Sequence, residues 1–135
     1  MKVFAVIDTN VIVSALLTRN PEAATVKILE TLFQGRIIPL LSDDIINEYV
    51  DVLHRPKFRF PEELANSVIL AIEHRSTRPG RTHSEEAFPD PKDAVFYEVA
   101  LSKDDAYLIT GNTKHFPRTP IVVTPAEMLE ILERV

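Results

Sequence analysis

Three acidic residues occupy positions from which their carboxylates could reach one end of a parallel sheet. Asp8 directly follows the apolar run 2–7, Glu48 lies in the helical pattern after the second apolar run, and Asp93 lies near the start of a later helix. Converging carboxylates repel one another, so they are kept together where they bind a hard divalent cation such as Mg²⁺. An ion held in this way polarises a phosphate and activates water. The three acids therefore predict a metal-dependent site for phosphodiester cleavage.

Each acid also has an ordinary structural explanation. Asp8 suits the end of a strand and the cap of the following turn. Glu48 falls at the margin of an apolar helix face, where most glutamates are simply solvated. Asp93 follows Asp90 by three residues, which is typical of a capping arrangement at a helix start. The metal interpretation depends on the three acids meeting, and the lack of cysteine and of paired histidines disfavours zinc.

The elements that would position these acids follow from the hydrophobic pattern. Five strands are predicted, at 2–7, 36–41, 76–78, 106–110 and 120–123. Helical patterns begin at Pro21, at the cap Ser42, at Pro61, at Pro91 and at the cap Thr124. Because strands alternate with helices, we expect an α/β fold whose parallel sheet is covered on both faces. Ligands bind such sheets at the carboxyl ends of the strands, which is where Asp8 lies.

The composition predicts one globular domain over residues 1–135. The chain is 45% hydrophobic and 26% charged, which is enough apolar surface to build a core and argues against disorder. No apolar run approaches the length that a membrane span needs, so we expect no membrane association. The absence of cysteine fits a reducing compartment, and we expect a cytoplasmic protein.

The charge of the chain is unevenly distributed. Residues 54–83 contain six basic residues and three glutamates, so this segment has a net charge of +3, which leaves −8 elsewhere because the total is −5. We expect the segment to hold a nucleic-acid strand, although a solvated basic helix pair would have the same composition. The basic residues are Arg55, Lys57, Arg59, Arg75, Arg78 and Arg81.

Four motifs along the chain carry a resemblance to a known family. They are V-I-D-T-N-V-I-V-S-A-L-L, S-D-D-I-I-N-E-Y-V-D-V-L, D-P-K-D-A-V-F-Y-E-V-A-L and Y-L-I-T-G-N-T-K-H-F, in this order. The chain resembles the PIN-domain nucleases over essentially its whole length, in particular the VapC-like toxins of toxin–antitoxin systems. The resemblance implies a three-layer α/β/α sandwich with a five-stranded parallel sheet of order 3-2-1-4-5. It also implies Mg²⁺- or Mn²⁺-dependent cleavage of single-stranded RNA, an antitoxin protein as partner, and a homodimer.

The resemblance also implies roles for individual residues. Asp8, Glu48 and Asp93 would be the catalytic, metal-binding acids. Four polar residues are expected beside them, namely Asn10, Ser14, Thr110 and Asn112. Many family members have a fourth acid where this chain has Asn112, and an amide contributes no negative charge. One bound ion is therefore expected rather than two.

Two other functions fit the same residues. A PIN fold that has lost its activity could serve as an RNA-binding or partner-binding module; Asn112 favours this alternative, whereas the retained Asp8, Glu48 and Asp93 count against it. A phosphotransfer or phosphatase domain could use Asp8 as a nucleophile, because such domains also place an aspartate after the first strand. Position 10 is an asparagine rather than an acid, which counts against the phosphotransfer or phosphatase alternative.

Overall fold

Short parallel strands alternate with α-helices in the computed structural model, which describes residues 2–134. The strands are β1 (Val3–Ile7), β2 (Ile37–Pro39), β3 (Tyr107–Ile109) and β4 (Val122–Val123). The helices are α1 (Thr9–Leu17), α2 (Ala24–Phe33), α3 (Asp43–Leu53), α4 (Glu62–His74), α5 (Ala94–Leu101) and α6 (Pro125–Arg134). The predicted domain was 1–135, and its two terminal residues lie outside the described range.

The strands form one parallel sheet of order β2-β1-β3-β4. Three consecutive residues of β1, Ala5, Val6 and Ile7, are completely buried. Because successive residues of a strand point to opposite faces, both faces of the sheet are covered at β1. Helix α5 packs on β1 and β3, and α2 packs on β2. These contacts give the α/β fold that the alternating pattern predicted.

The prediction of a five-stranded sheet of order 3-2-1-4-5 is wrong for the described chain, which has four strands. The segment predicted as the third strand, 76–78, forms a single bridge in which Thr77 pairs with Leu40. The Thr77 N–H donates to the Pro39 carbonyl over 2.9 Å. Pairing stops there because Pro79 lacks an N–H donor and Gly80, with φ +99°, turns the chain away. The other four strands keep the predicted relative order.

The helix predicted to begin at Pro21 begins instead at Ala24. The side chain of Asn20 accepts a hydrogen bond of 3.0 Å from the Glu22 N–H, which places Pro21 inside a turn. The apolar stretch before this turn is itself helical and forms α1, starting directly after Asp8. A proline at the start of a helical pattern therefore marked a turn here rather than the first helical residue.

Helices α3 and α5 contact each other close to the carboxyl end of β1, and α3 also contacts α1. The packing of α3 depends on the buried residues Ile45, Tyr49 and Leu53, which form one face of the helix. Within residues 2–134, no helix combines the length and the apolar character that crossing a membrane requires. The location of the protein in the cell stays a prediction.

Candidate active site

A cleft of about 770 Å³ opens at the carboxyl end of β1. Its walls include Asp8, Glu48 and Asp93, which come from three different parts of the chain. Asp8 follows β1, Glu48 lies on α3, and Asp93 ends the short 3₁₀ helix Pro91–Asp93 that leads into α5. The structure therefore brings the three predicted acids to one cleft, at the edge of the sheet where ligands bind in α/β folds.

The carboxyl group of Asp8 is directed by a buried threonine. Asp8 occupies the cap position of α1, but its side chain makes no capping hydrogen bond to the described start of this helix. Instead, the fully buried Thr110 hydroxyl donates to the Asp8 carboxylate over 2.8 Å. Burial raises the pKa of Asp8 from 3.8 to about 6, helped by repulsion from Asp93 and Glu48 and opposed by the Thr110 hydrogen bond. Asp8 is thus an acid in an environment that disfavours its charge.

Glu48 is held at the margin of the buried face of α3, as its position in the helix predicted. The helix begins at Ser42, whose hydroxyl accepts from the Ile45 N–H over 3.2 Å. From α1, the Thr9 hydroxyl donates a hydrogen bond to the Glu48 carboxylate. Burial and repulsion from Asp93 raise the pKa of Glu48, while the Thr9 hydrogen bond acts in the opposite direction.

Asp93 occupies the cap position of α5, but its side chain makes no capping hydrogen bond. Such a bond is made by Asp90, whose carboxylate accepts from the Lys92 N–H over 3.0 Å. The Asp93 carboxylate lies 3.5 Å from Nδ1 of His115. Burial and repulsion from Asp90 raise the pKa of Asp93, and the nearby His115 acts in the opposite direction. The carboxyl group of Asp93 is therefore available to the cleft rather than used by the helix.

Two asparagines connect the start of α1 to the loop after β3. Asn10 accepts a hydrogen bond of 3.2 Å from the Gly111 N–H, and both Asn10 and Asn112 line the cleft. The Asn112 N–H donates to the Thr110 hydroxyl over 3.0 Å. The side chain of Asn112, which was expected beside the acids, donates to Nε2 of His115 over 3.0 Å. Asn112 thus contacts Thr110 and His115, the residues that lie against Asp8 and Asp93.

Ser14 is not where the resemblance implied. It is exposed, and its hydroxyl lies 3.4 Å from the hydroxyl of Thr25 on α2. The preceding residue, Val13, lines the cleft. Since each residue of an α-helix is rotated by about 100° from the last, Ser14 is turned away from the cleft and toward α2.

The six basic residues of segment 54–83 do not form one surface. Only Arg55 and Arg81 of these six line the cleft, and all six are within the described residues. Arg75 borders a separate depression on α4, with its guanidinium 5.5 Å from the centre of the Phe33 ring. Arg78 pairs with Asp43 at 2.5 Å, so its charge is shared with α3. The prediction of one basic surface was based on proximity in sequence. It is wrong because the hairpin of α3 and α4 distributes these residues over several faces of the protein.

Arg81 is held by a buried acid that the sequence reasoning missed. Glu98 on α5 is 4% exposed and accepts from Nε of Arg81 at 2.6 Å and from the Ser84 N–H at 2.7 Å. Burial pushes the pKa of Glu98 upward, but these hydrogen bonds and the Arg81 charge outweigh it and lower the pKa. Arg81 also lies 3.7 Å from Asp44 on α3. Glu98 therefore positions Arg81 at the cleft.

Three further residues near the acids carry contacts that were not predicted. Thr9 contacts Glu48, and His115 contacts Asp93, as described above. The hydroxyl of Tyr49 donates to the carbonyl of Ile7, and burial with repulsion from Asp8 and Glu48 raises its pKa well above 10. Thr9 has a sequence signal, since it directly follows Asp8. His115 follows Asn112 by three residues, and a 3₁₀ turn brings such residues together.

The donor types in the cleft fit a hard divalent cation. Asp8, Glu48 and Asp93 supply carboxylate oxygens, the ligands that Mg²⁺ and Mn²⁺ prefer, and all three have raised pKa values because burial and like charges disfavour ionisation. A cation between them would relieve this repulsion. Among residues 2–134, however, no group of three or more His, Asp or Glu side chains is already arranged to hold a metal ion. A Mg²⁺ ion held here would therefore be bound directly by one or two of the carboxylates, with water completing its coordination.

Comparison with protein families identifies residues 5–114 as a PIN domain. The matched range includes the last three residues of β1, all of β2 and β3, the three acids and Asn112, and it ends before β4. Searches of curated proteins and of solved structures gave no match.

Proposed function

This chain belongs to the PIN-domain family, and on that basis we propose that it is a metal-dependent endoribonuclease that hydrolyses phosphodiester bonds of single-stranded RNA. The observation that carries the proposal is the shared cleft of Asp8, Glu48 and Asp93, in which each carboxyl group is held in a partly desolvated position. Carboxyl groups whose pKa values are raised by burial and by one another's charge are characteristic of functional sites.

In this proposal the three acids hold one Mg²⁺ or Mn²⁺ ion. When bound, the ion supplies a Lewis acid that polarises the phosphate and favours deprotonation of the attacking water. Asn112 stands where many family members have a fourth acid, so the site has one negative charge fewer and a single ion is the expected occupancy.

The residues of the chain prepare the cleft for this chemistry. Thr110 and Thr9 orient the carboxylates of Asp8 and Glu48 by donating to them. Arg55 and Arg81 lie at the walls of the cleft, where guanidinium groups can bind the phosphates that flank the cleavage point. Because the pKa of Asp8 is about 6, this group is mostly ionised at neutral pH and becomes protonated in mild acid. Because protons and the metal ion compete for Asp8, activity at limiting metal concentration should fall as the pH drops below that value, and added metal should shift this loss to lower pH.

The biological setting is also part of the proposal. The resemblance to VapC-like proteins favours the toxin of a toxin–antitoxin pair, which would act in the cytoplasm as a homodimer and be restrained by an antitoxin protein. These assignments rest on the sequence motifs, and a small antitoxin-like gene beside the coding sequence would support them.

A second function is favoured by two observations. The acids are not already arranged to hold a metal in the described chain, and Asn112 replaces an acid. Both would suit an inactive PIN fold that binds RNA or a protein partner without cleaving it. A binding module would retain RNA in the presence of metal and release no products.

The proposal is tested by incubating the protein with labelled single-stranded RNA in Mg²⁺, in Mn²⁺ and in EDTA. We expect cleavage in either metal, no cleavage in EDTA, and no cleavage by Asp8→Asn, Glu48→Gln or Asp93→Asn. Asp104→Asn is the matched control and should cleave like the parent, because Asp104 is an exposed acid that does not line the cleft. Equal cleavage by the parent and Asp8→Asn would overturn the proposal, as would cleavage that EDTA leaves unchanged.

A further inference from the structure

Two aromatic rings are stacked at the wall of the cleft, and the proposed chemistry uses neither of them. The rings of Phe58 and Phe60 are 5.6 Å apart between their centroids and inclined by 14°. Phe58 lines the same cleft as Asp8 and Glu48 and is half-buried. The ring adds a flat aromatic surface to a cleft that polar and apolar side chains line together.

The two rings have different relations to the protein core. Phe60 packs against the buried core, whereas Phe58 is absent from the core of residues 2–134. Phe58 is therefore supported by Phe60 and by its own turn. A ring that served only the core would bury its surface on other apolar side chains, but this one borders the cleft.

The backbone of this turn holds Phe58 in place. Residues Pro56–Phe58 form a 3₁₀ helix that ends at Arg59, which adopts a left-handed conformation with φ 58° and ψ 28°. This conformation is uncommon for a residue with a side chain, and strain of this kind persists where the surroundings enforce it, often at functional sites. The Arg59 N–H donates to the Pro56 carbonyl over 3.1 Å, which closes the turn. The left-handed residue lies between the two phenylalanines whose rings stack.

Positive charges flank the same ring. The ammonium group of Lys57 lies over the Phe58 ring, 5.0 Å from its centre, and Arg55 lines the cleft. A base that stacks on the ring would displace this flexible ammonium group toward the adjacent backbone phosphate. Single-stranded nucleic acids are bound by this combination, in which an aromatic ring stacks on a base and adjacent cations contact the backbone phosphates. A double helix keeps its bases stacked on one another, so only an unpaired base can reach the ring.

We propose that Phe58 is a stacking platform for one unpaired nucleobase of the substrate, with Lys57 and Arg55 contacting the phosphates on either side of that base. This subsite rests on the part of the proposed function by which the cleft binds single-stranded RNA, and it names the residue that would hold an unpaired base. It selects single strands through the base, independently of the three acids, and every base has a face that can stack. The expected preference is therefore for unpaired strands rather than for a sequence.

The chain contains no tryptophan, which provides a direct test. Phe58→Trp places a single indole at the subsite, and a base stacked on it quenches its fluorescence. Binding is measured with Asp8→Asn as the common background in Mg²⁺, so that the RNA stays intact. We expect quenching by a single-stranded RNA and little quenching by an abasic strand with the same number of phosphates. Leu70→Trp is the control, because Leu70 is 62% exposed and borders the separate depression on α4.

A second measurement separates stacking from a general loss of structure. In the same background, Phe58→Leu should weaken the binding of single-stranded RNA by a factor between about 5 and 150. Phe58→Tyr should bind RNA as tightly as the protein with Phe58. Neither substitution should change the affinity for the abasic strand. Equal affinity of Phe58→Leu and the parent for RNA, or equal quenching by the RNA and the abasic strand, would overturn the subsite.

The subsite and the nuclease function can fail separately. If the parent protein cleaves RNA but Phe58→Trp is not quenched, the subsite is wrong and the proposed function stands. If RNA quenches Phe58→Trp but the parent cleaves nothing in Mg²⁺ or Mn²⁺, the subsite stands on a binding module. A parent that neither binds nor cleaves single-stranded RNA would refute both.

Discussion

Replacing Asp8 with asparagine should stabilise the metal-free protein while abolishing cleavage. Burial, with repulsion from Asp93 and Glu48, raises the pKa of Asp8 from 3.8 to about 6. The difference corresponds to about 3 kcal/mol of unfolding free energy that is lost when the group is ionised. An asparagine carries no charge and can still accept the hydrogen bond that the Thr110 hydroxyl donates to Asp8. The upper limit of the gain is therefore about 3 kcal/mol.

The gain has a defined dependence on pH. An acid whose pKa is higher in the folded state contributes stability that is fully present below its unfolded pKa, here 3.8, and lost as the pH rises through about 6. The parent and Asp8→Asn should therefore differ by roughly 0.5 kcal/mol near pH 4 and by about 3 kcal/mol near pH 8. Added Mn²⁺ should stabilise the parent and leave Asp8→Asn nearly unchanged, because only the parent retains the full ligand set.

Urea unfolding in EDTA over this pH range measures the effect. The control is Asp44→Asn, since Asp44 is an exposed acid of the same cleft whose pairing with Arg81 spans 3.7 Å. This control should change the unfolding free energy by less than about 1 kcal/mol. An Asp8→Asn protein that is no more stable than the parent near pH 8, or a gain of equal size near pH 4, would refute the reasoning.

The remaining predictions concern residues around the acids. Asn112→Asp should tighten Mn²⁺ binding and raise cleavage at low metal concentration while modestly destabilising the metal-free protein, which calorimetric titration and metal-free melting curves would measure. Glu98→Ala should lower the unfolding free energy by on the order of 1–3 kcal/mol, because two donors lose a buried acceptor. An unchanged urea midpoint would contradict this prediction. Arg55→Ala and Arg81→Ala should each weaken RNA binding and reduce its dependence on salt, whereas Arg75→Ala should leave both unchanged. Affinities measured over a series of salt concentrations would check this, and equal effects of all three substitutions would contradict it.

The sequence predicted the parts of the site that depend on local pattern. Asp8 could be placed because an unbroken apolar run ends directly before it, and parallel strands present their carboxyl ends to ligands. Glu48 could be placed because the apolar face of α3 fixes which side of the helix is half-buried. These two positions required only the period of a helix or a strand, together with the rule for α/β sheets.

The features that were wrong or missed depend on contacts between distant segments. The segment 76–78 pairs only through the bridge between Thr77 and Leu40, and the length of this pairing depends on how two segments distant in sequence approach each other. The basic residues of segment 54–83 do not form one surface because α3 and α4 direct them to different faces of the protein. His115 was missed because its contact with Asp93 joins the loop after β3 to the start of α5. Contacts of this kind follow from the assembled fold rather than from spacing.

The central claim is that the cleft of Asp8, Glu48 and Asp93 binds a divalent ion and that this binding is required to cleave RNA. It is tested most directly by measuring Mn²⁺ binding and the rate of RNA cleavage on the same samples across a metal titration, for the parent and for Asp8→Asn. The account predicts that the cleavage rate of the parent rises in proportion to its metal occupancy, and that Asp8→Asn loses tight binding and cleavage together. Cleavage without bound Mn²⁺, or Asp8→Asn binding Mn²⁺ as tightly as the parent, would contradict it.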